Sequence, residues 1–156
     1  MARPLTTPAE LTGELSPDAA LRRIVAARRS DLNKYRAVVL AGSRPIGVHQ
    51  SRVALRRLRA AIGLRPLFSG PGFDSKVAKP YIEATARLQG ALGALNDRAV
   101  AAQIIADIAQ AARPSELAKK PLERVARQVK AGTKRDKHRI GRAWKTFRKA
   151  EPFWRM

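Results

Sequence analysis

One histidine and three arginines are spaced so that a helix would bring their side chains together. The four are His49, Arg52, Arg56 and Arg59, which follow one another at steps of three, four and three residues. In a helix of 3.6 residues per turn, these side chains fall within about 80° of arc. Arginine presents a planar fork of N–H donors that matches two phosphate oxygens. The spacing therefore indicates a binding site for a phosphate-bearing anion.

An apolar stripe lies directly beside these four residues on the same predicted helix. It consists of Val48, Leu55, Leu58 and Ile62. Most runs of charge on a helix are solvated faces, but this one borders the side that packs into the core. It also has no Asp or Glu four residues away to pair with its cations. Both features favour a groove that binds a ligand over a solvated surface.

The charge of the whole chain indicates the chemistry of the partner. Lys and Arg total 32, Asp and Glu total 12, and the net charge is +20 over 156 residues. Such an excess predicts a polyanion: nucleic acid, an anionic membrane surface or inorganic polyphosphate. The 45% of hydrophobic residues supplies a core, whereas no apolar run is long enough to span a bilayer. We expect a cytoplasmic protein with a flexible tail at residues 1–15 and one helical domain at residues 16–156.

Helical periodicity dominates the sequence, and no run alternates with a period of two residues. Four helices are predicted: from Pro17 to about Ala41 with Gly42 as C-cap, from Pro45 or Gly47 to before Pro66, from Asp74 or Ser75 to about Arg113, and from Glu116 or Pro121 to Arg148. We therefore predict an all-α, antiparallel four-helix bundle with long helices. In the third helix, Gly90 and Gly93 are expected to let another helix approach closely.

A second basic stripe runs along the predicted fourth helix. Its candidate ligand-binding residues are Arg127, Lys130, Lys134 and His138. We expect these residues to face the same anion as the His49 stripe, although a solvated face is the competing interpretation for His138. His49 also has two interpretations, since it could contact phosphate or cap the start of its helix.

Asp97 and a group of aromatic residues also have competing interpretations. Asp97 could bind a metal, but we favour an ion pair with Arg56 or Arg57 that holds the arginine in place. The aromatic residues could stack on nucleobases, but their spacing favours packing in the core. They are Trp144, Phe147, Phe153 and Trp154. The chain has no Cys, and neither of its two His has a carboxylate four residues away, so no metal or cofactor is expected.

Three runs of the sequence match motifs of one known family. They are His49-x-x-Arg52-Val53-x-x-Arg56-Arg57-Leu58-Arg59, Leu88-Gln89-x-x-Leu92-Gly93-x-Leu95-Asn96-Asp97 and Ala143-Trp144-x-x-Phe147-x-x-Ala150-x-Pro152-Phe153-Trp154. In this order they resemble the conserved histidine α-helical domain, CHAD. The resemblance implies a helical bundle that binds inorganic polyphosphate, often at polyphosphate granules. It places His49, Arg52, Arg56 and Arg59 at the ligand.

The length of the chain departs from the family pattern. CHAD domains usually contain two similar four-helix halves, whereas this chain has one set of helices and one His-x-x-Arg run, so it resembles one half of such a domain. A homodimer with an isologous interface would restore the two-half arrangement. We expect a polyphosphate-binding protein without catalysis, and the alternative is a nucleic-acid-binding helical protein. No P-loop and no paired carboxylates for Mg²⁺ support an enzyme.

Overall fold

The computed structural model describes residues 11, 13–41, 45–70, 72–111 and 116–155. This part of the chain contains five α-helices and two 3₁₀ turns. The helices are α1 (Pro17–Lys34), α2 (Arg36–Ala41), α3 (Pro45–Gly63), α4 (Ser75–Ala111) and α5 (Glu116–Lys149), and the 3₁₀ turns are Arg65–Leu67 and Phe153–Arg155. No strand occurs among these residues. The all-α prediction is confirmed, and α1 begins as predicted, with the Ser16 hydroxyl accepting the Ala19 N–H at 3.3 Å.

The first predicted helix is divided at Tyr35 into α1 and α2. The Tyr35 N–H bonds to the Leu32 carbonyl at 3.2 Å, three residues back, and helical bonding resumes with Val39 N–H to Tyr35 O at 3.0 Å. A single tight turn of this kind shifts the direction of the chain without ending the helical path. The predicted C-cap at Gly42 lies outside the described residues, as do residues 1–10 and 12 of the tail predicted at residues 1–15.

The helices pack as an antiparallel bundle in which α4 lies between α3 and α5. Arg59 of α3 bonds to Gln89 of α4, and the Tyr81 ring of α4 lies 5.5 Å from the Phe147 ring of α5. The core is a continuous apolar cluster to which α1, α3, α4 and α5 each contribute buried leucines or aromatic residues. The predicted bundle is therefore confirmed. No helix in the described part of the chain combines the length and hydropathy that crossing a bilayer requires.

The aromatic residues close one end of the bundle. Trp144, Phe147, Phe153 and Trp154 are all buried, which confirms the prediction that they pack in the core. The Trp154 ring meets Tyr81 edge to face at 4.8 Å, and Arg22 of α1 donates to the Trp154 carbonyl at 2.5 Å. Burial raises the pKa of the Tyr81 hydroxyl above its usual range, and nearby Arg29 offsets part of that shift. These aromatic rings are not available to stack on nucleobases.

Candidate functional site

A groove of about 580 Å³ runs along the surface between α3 and α4. One wall comes from α3 and holds the four residues predicted from helical spacing: His49, Arg52, Arg56 and Arg59. Val53 also lies on this wall. The opposite side comes from α4 and consists of Ala86, Gln89, Gly90 and Gly93. The structure thus brings all four residues of the predicted basic stripe into one concave surface.

The packing of α3 fixes the orientation of this wall. Leu55 and Leu58 are fully buried on the core side of the helix, and the buried Ser51 hydroxyl donates to the Gly47 carbonyl at 2.8 Å. At Gly47 an added Cβ would collide with Val38 of α2, so this glycine allows the start of α3 to lie close against α2. Because the core side of α3 is held in this way, the basic stripe must face outward beside α4.

The cations of the groove have almost no partners inside the protein. Within the described part of the chain, the side chains of His49, Arg52 and Arg56 form no ion pair or hydrogen bond. Arg59 donates to the neutral side-chain oxygen of Gln89. No Asp or Glu occurs anywhere in α3, and none is among the described residues that line the groove. The positive charge is therefore available to an external anion.

The side of the groove formed by α4 is nearly free of side chains. Gly90 and Gly93 line it together with Ala86, and a Cβ added at either glycine would meet no atom within 4 Å. The prediction that these glycines let another helix approach closely is therefore wrong. They leave open space opposite the arginines, where a ligand could lie against the α4 backbone.

A second basic cluster lies between α4 and α5, around a cavity of about 630 Å³. Its lining residues are Arg98, Arg135, Asp136, His138, Arg139 and Arg142. Asp136 is buried, with 6% of its surface exposed, and its carboxylate accepts the Arg98 Nε–H at 2.5 Å. The Arg98 guanidinium crosses over Gly132, where an added Cβ would overlap it. This cluster contains an internal acid, and one of its arginines already joins two helices.

The residues predicted on α5 do not line the α3–α4 groove. His138 lies in the α4–α5 cluster, and Arg127 lies farther along α5 beside Lys120 and Arg124. Lys130 and Lys134 are exposed. The α5 stripe is thus spread over several surfaces instead of facing the His49 stripe.

The predicted contact of Asp97 is absent among the described residues. Asp97 is exposed and forms no ion pair there with Arg56 or Arg57. Arg57 is also exposed and lies outside the groove lining. The internal ion pair forms one residue later, at Arg98, whose partner Asp136 is on α5.

Sequence reasoning missed Arg98, Arg135 and Arg139. A pattern on α5 could have indicated them, since Gly132 and Asp136 are four residues apart on the apolar side of an otherwise basic helix. A buried acid requires a paired cation, and a glycine one turn away leaves room for a long side chain. The pattern does not reveal which arginine fills that room.

Comparison with protein families gives a match that covers most of the chain. Residues 23–151 match the CHAD domain family, a span that runs from α1 past the end of α5. The chain belongs to the CHAD domain family. The predicted membership of the CHAD family is therefore confirmed. The His49 run and the Gln89–Asp97 run both lie within the match, and they form the two sides of the groove up to Gly93.

The other comparisons add no relative. No curated protein and no solved structure matches this chain. Among the described residues, no group of three or more His, Asp or Glu side chains could hold a metal ion.

Proposed function

We propose that this protein binds inorganic polyphosphate in the α3–α4 groove and catalyses no reaction on it. Polyphosphate binding is a known property of the CHAD domain family. The observation that carries the proposal is a row of cations that, among the described residues, have no ion-pair partner and share the groove with no acid. Polyphosphate carries about one negative charge per unit and has no bases, so it requires a row of cation donors and no base-reading surface.

The shape of the groove favours a thin, flexible anion. Packed helices lie about 8–10 Å apart, so a groove between two neighbouring helices cannot admit a nucleic-acid duplex. A single strand is thinner, but its bases usually stack on aromatic side chains. No aromatic residue is among the described residues that line the groove, and the aromatic residues near the C-terminus are buried. These features favour polyphosphate over nucleic acid.

The absence of catalysis is part of the proposal. Phosphate-ester chemistry in proteins commonly uses carboxylates that hold Mg²⁺ or accept a proton. The described lining contains His49, three arginines, a glutamine and small or apolar residues, with no carboxylate. Such a set can hold phosphate oxygens but, in the described lining, offers no carboxylate to hold Mg²⁺ or accept a proton.

Competition between ligands tests the proposal. Labelled single-stranded nucleic acid is bound first, and long-chain polyphosphate is then added at equal phosphate concentration, followed by the reverse experiment. We expect polyphosphate to displace the nucleic acid and nucleic acid to leave bound polyphosphate in place. The opposite ranking would mean that the groove is a nucleic-acid site. Both complexes should weaken as salt rises, because binding releases counterions.

We further propose that polyphosphate binding recruits the protein to cytoplasmic polyphosphate granules. The test is the position of a fluorescent fusion in cells that accumulate polyphosphate. We expect foci that coincide with the granules and that disperse when Arg52, Arg56 and Arg59 are changed to Ala. Foci that persist in this variant would show that another surface directs the protein to the granule.

A further inference from the structure

A smaller pocket of about 260 Å³ lies at the Arg59 end of the α3–α4 groove. Its lining comes from the last turn of α3, from the 3₁₀ turn that follows with Arg65, and from Ile82 and Thr85 of α4. We call this cavity the Arg65 pocket. Arg59 lines both the groove and the Arg65 pocket, so an anion bound to Arg59 can extend into either one.

Both helices continue the surface of the groove into the Arg65 pocket. On α3, Gly63 follows Arg59 by four residues and so continues the row that begins at His49. On α4, Ile82 precedes Ala86 by four residues and lies on the same side of that helix. A Cβ added at Gly63 would meet no atom within 4 Å, so no side chain closes the junction there. The surface from His49 to Gly63 is about 21 Å long, against about 15 Å from His49 to Arg59.

Arg65 brings a positive charge to this pocket, and no acid in the described structure pairs with it. Its Nη2 donates to the Ser75 hydroxyl at 3.3 Å, which is long for a hydrogen bond and involves a neutral partner. Its Nε is buried without a hydrogen-bond partner among the described residues, a state that costs stability unless an acceptor arrives from outside. Asp74 lies next to Ser75 in the chain, but its carboxylate accepts the Lys76 N–H at 2.6 Å. Most of the donors of Arg65 are therefore available to a ligand.

We propose that the binding surface of the α3–α4 groove continues through the Arg65 pocket, and that Arg65 binds phosphate groups there. This inference rests on the proposed function, because it takes polyphosphate as the ligand. Arg59 and Arg65 are the charged residues of the described pocket lining. A chain that extends past Arg59 therefore meets a second arginine fork, which matches two more phosphate oxygens. A long chain gains affinity from Arg65, and a chain that ends inside the groove does not.

Arg65 also has a structural interpretation, because it lies just after the C-terminal end of α3. A cation is favoured there by the helix dipole. Loss of that role would loosen the end of α3 and lower the affinity for every phosphate ligand alike. Loss of a binding contact instead lowers the affinity only for chains long enough to reach Arg65. The dependence on chain length therefore distinguishes the two roles.

Calorimetric titration of the full chain with polyphosphates of graded length, from tripolyphosphate upward, tests the proposal. Arg52, Arg56 and Arg59 offer one fork to each phosphate of tripolyphosphate, so Arg65→Ala should hardly change the affinity for this ligand. For longer chains, we expect the affinity of Arg65→Ala to level off while that of the native protein rises further, until the two differ by about tenfold or more. The statistical gain of a longer chain is the same for both proteins, so their ratio isolates Arg65. Equal affinities at every length, or an equal loss at every length, would overturn the proposal.

Two further variants control for charge and for side-chain shape. Arg57→Ala removes the same charge from an exposed position on α3 outside both cavities, and its affinities should follow those of the native protein at every length. Arg65→Lys keeps the positive charge without the planar fork, and it should recover part of the gain for long chains. A long-chain loss in Arg57→Ala as large as that in Arg65→Ala would mean that net charge alone sets the length dependence, and it would overturn the proposal.

The variant with Ala in place of Arg52, Arg56 and Arg59 distinguishes a failure of this inference from a failure of the proposed function. We expect this variant to lose affinity at every chain length, including tripolyphosphate. If it binds tripolyphosphate as the native protein does, the groove is not the site and both proposals are wrong. If it loses affinity while Arg65→Ala follows the native protein at every length, the groove remains the site and only its continuation through the Arg65 pocket is wrong.

Discussion

The α3–α4 groove and the α4–α5 cluster are both rich in arginine, but they differ in the partners of those arginines. In the groove, Arg52 and Arg56 have no internal partner in the described structure, and Arg59 bonds to a neutral glutamine. In the cluster, Arg98 pairs with the buried carboxylate of Asp136 and links α4 to α5. An arginine without an internal partner can bind a ligand without breaking a contact of the folded protein. An arginine that is paired with a buried acid instead stabilises the folded state. Residue type alone does not distinguish these two roles.

The largest expected effect is a difference in polyphosphate affinity between variants of the groove and variants of the cluster. Changing Arg52, Arg56 and Arg59 together to Ala should weaken polyphosphate binding by about 5 kcal/mol or more, since three charge-assisted hydrogen bonds of about 1.5–3 kcal/mol each are lost. The matched control changes Arg135, Arg139 and Arg142 to Ala, which removes the same charge from the cluster. Calorimetry should show a much smaller loss for the control, with helical circular dichroism retained in both variants. Equal losses would mean that net charge, and not the groove, determines affinity.

The next effect is a loss of folding stability that we expect from the cluster and not from the groove. Arg98→Ala leaves the Asp136 carboxylate without its partner in a buried position, so the free energy of unfolding should fall by about 2–3 kcal/mol. Polyphosphate affinity at the groove should hardly change. The control is Arg87→Ala on the same helix, because Arg87 pairs with Glu83 at 3.8 Å on an exposed surface and such pairs contribute less than about 1 kcal/mol. Urea unfolding measures both variants, and a similar stability for the two would contradict the assigned role of Arg98.

A smaller effect concerns the open side of the groove. Gly93→Ala should stabilise the protein by about 0.5–1 kcal/mol, because alanine favours the helix and the added methyl group meets no neighbour. The same methyl group narrows the groove, so we expect polyphosphate affinity to fall severalfold. Gly141→Ala on α5 is the control, since its added Cβ also meets nothing within 4 Å and Gly141 does not line the groove. Gly141→Ala should stabilise the protein without loss of polyphosphate affinity. A fall in affinity in the control alone would contradict the position of the site.

The sequence was sufficient to predict the bundle and one side of the groove. Helix starts such as Ser16-Pro17 and stops such as Pro66 are local features, and the spacing from His49 to Arg59 stays on one face of any regular helix. The other side of the groove could not be predicted in this way. A glycine such as Gly90 fits both a close helix contact and an open surface, and only the packing of α3 against α4 distinguishes them.

The α5 residues show a second limit of sequence reasoning. This helix contains thirteen Lys and Arg and three acids, so cations occur on almost every outward face and several different stripes can be drawn through them. The Arg98–Asp136 pair also depends on how α4 and α5 align along their lengths, and no short motif encodes that alignment. The structure supplies it directly through the contact of Arg98 with Gly132 and Asp136.

The central claim is that polyphosphate lies in the α3–α4 groove, and the backbone amide signals of four glycines test it most directly. Gly90 and Gly93 line the groove, whereas Gly132 and Gly141 are on α5. In a nitrogen–proton NMR titration with polyphosphate, we predict that the signals of Gly90 and Gly93 shift first and saturate together, while those of Gly132 and Gly141 hardly move. Early shifts confined to Gly132 and Gly141 would place the ligand on α5 and contradict the account.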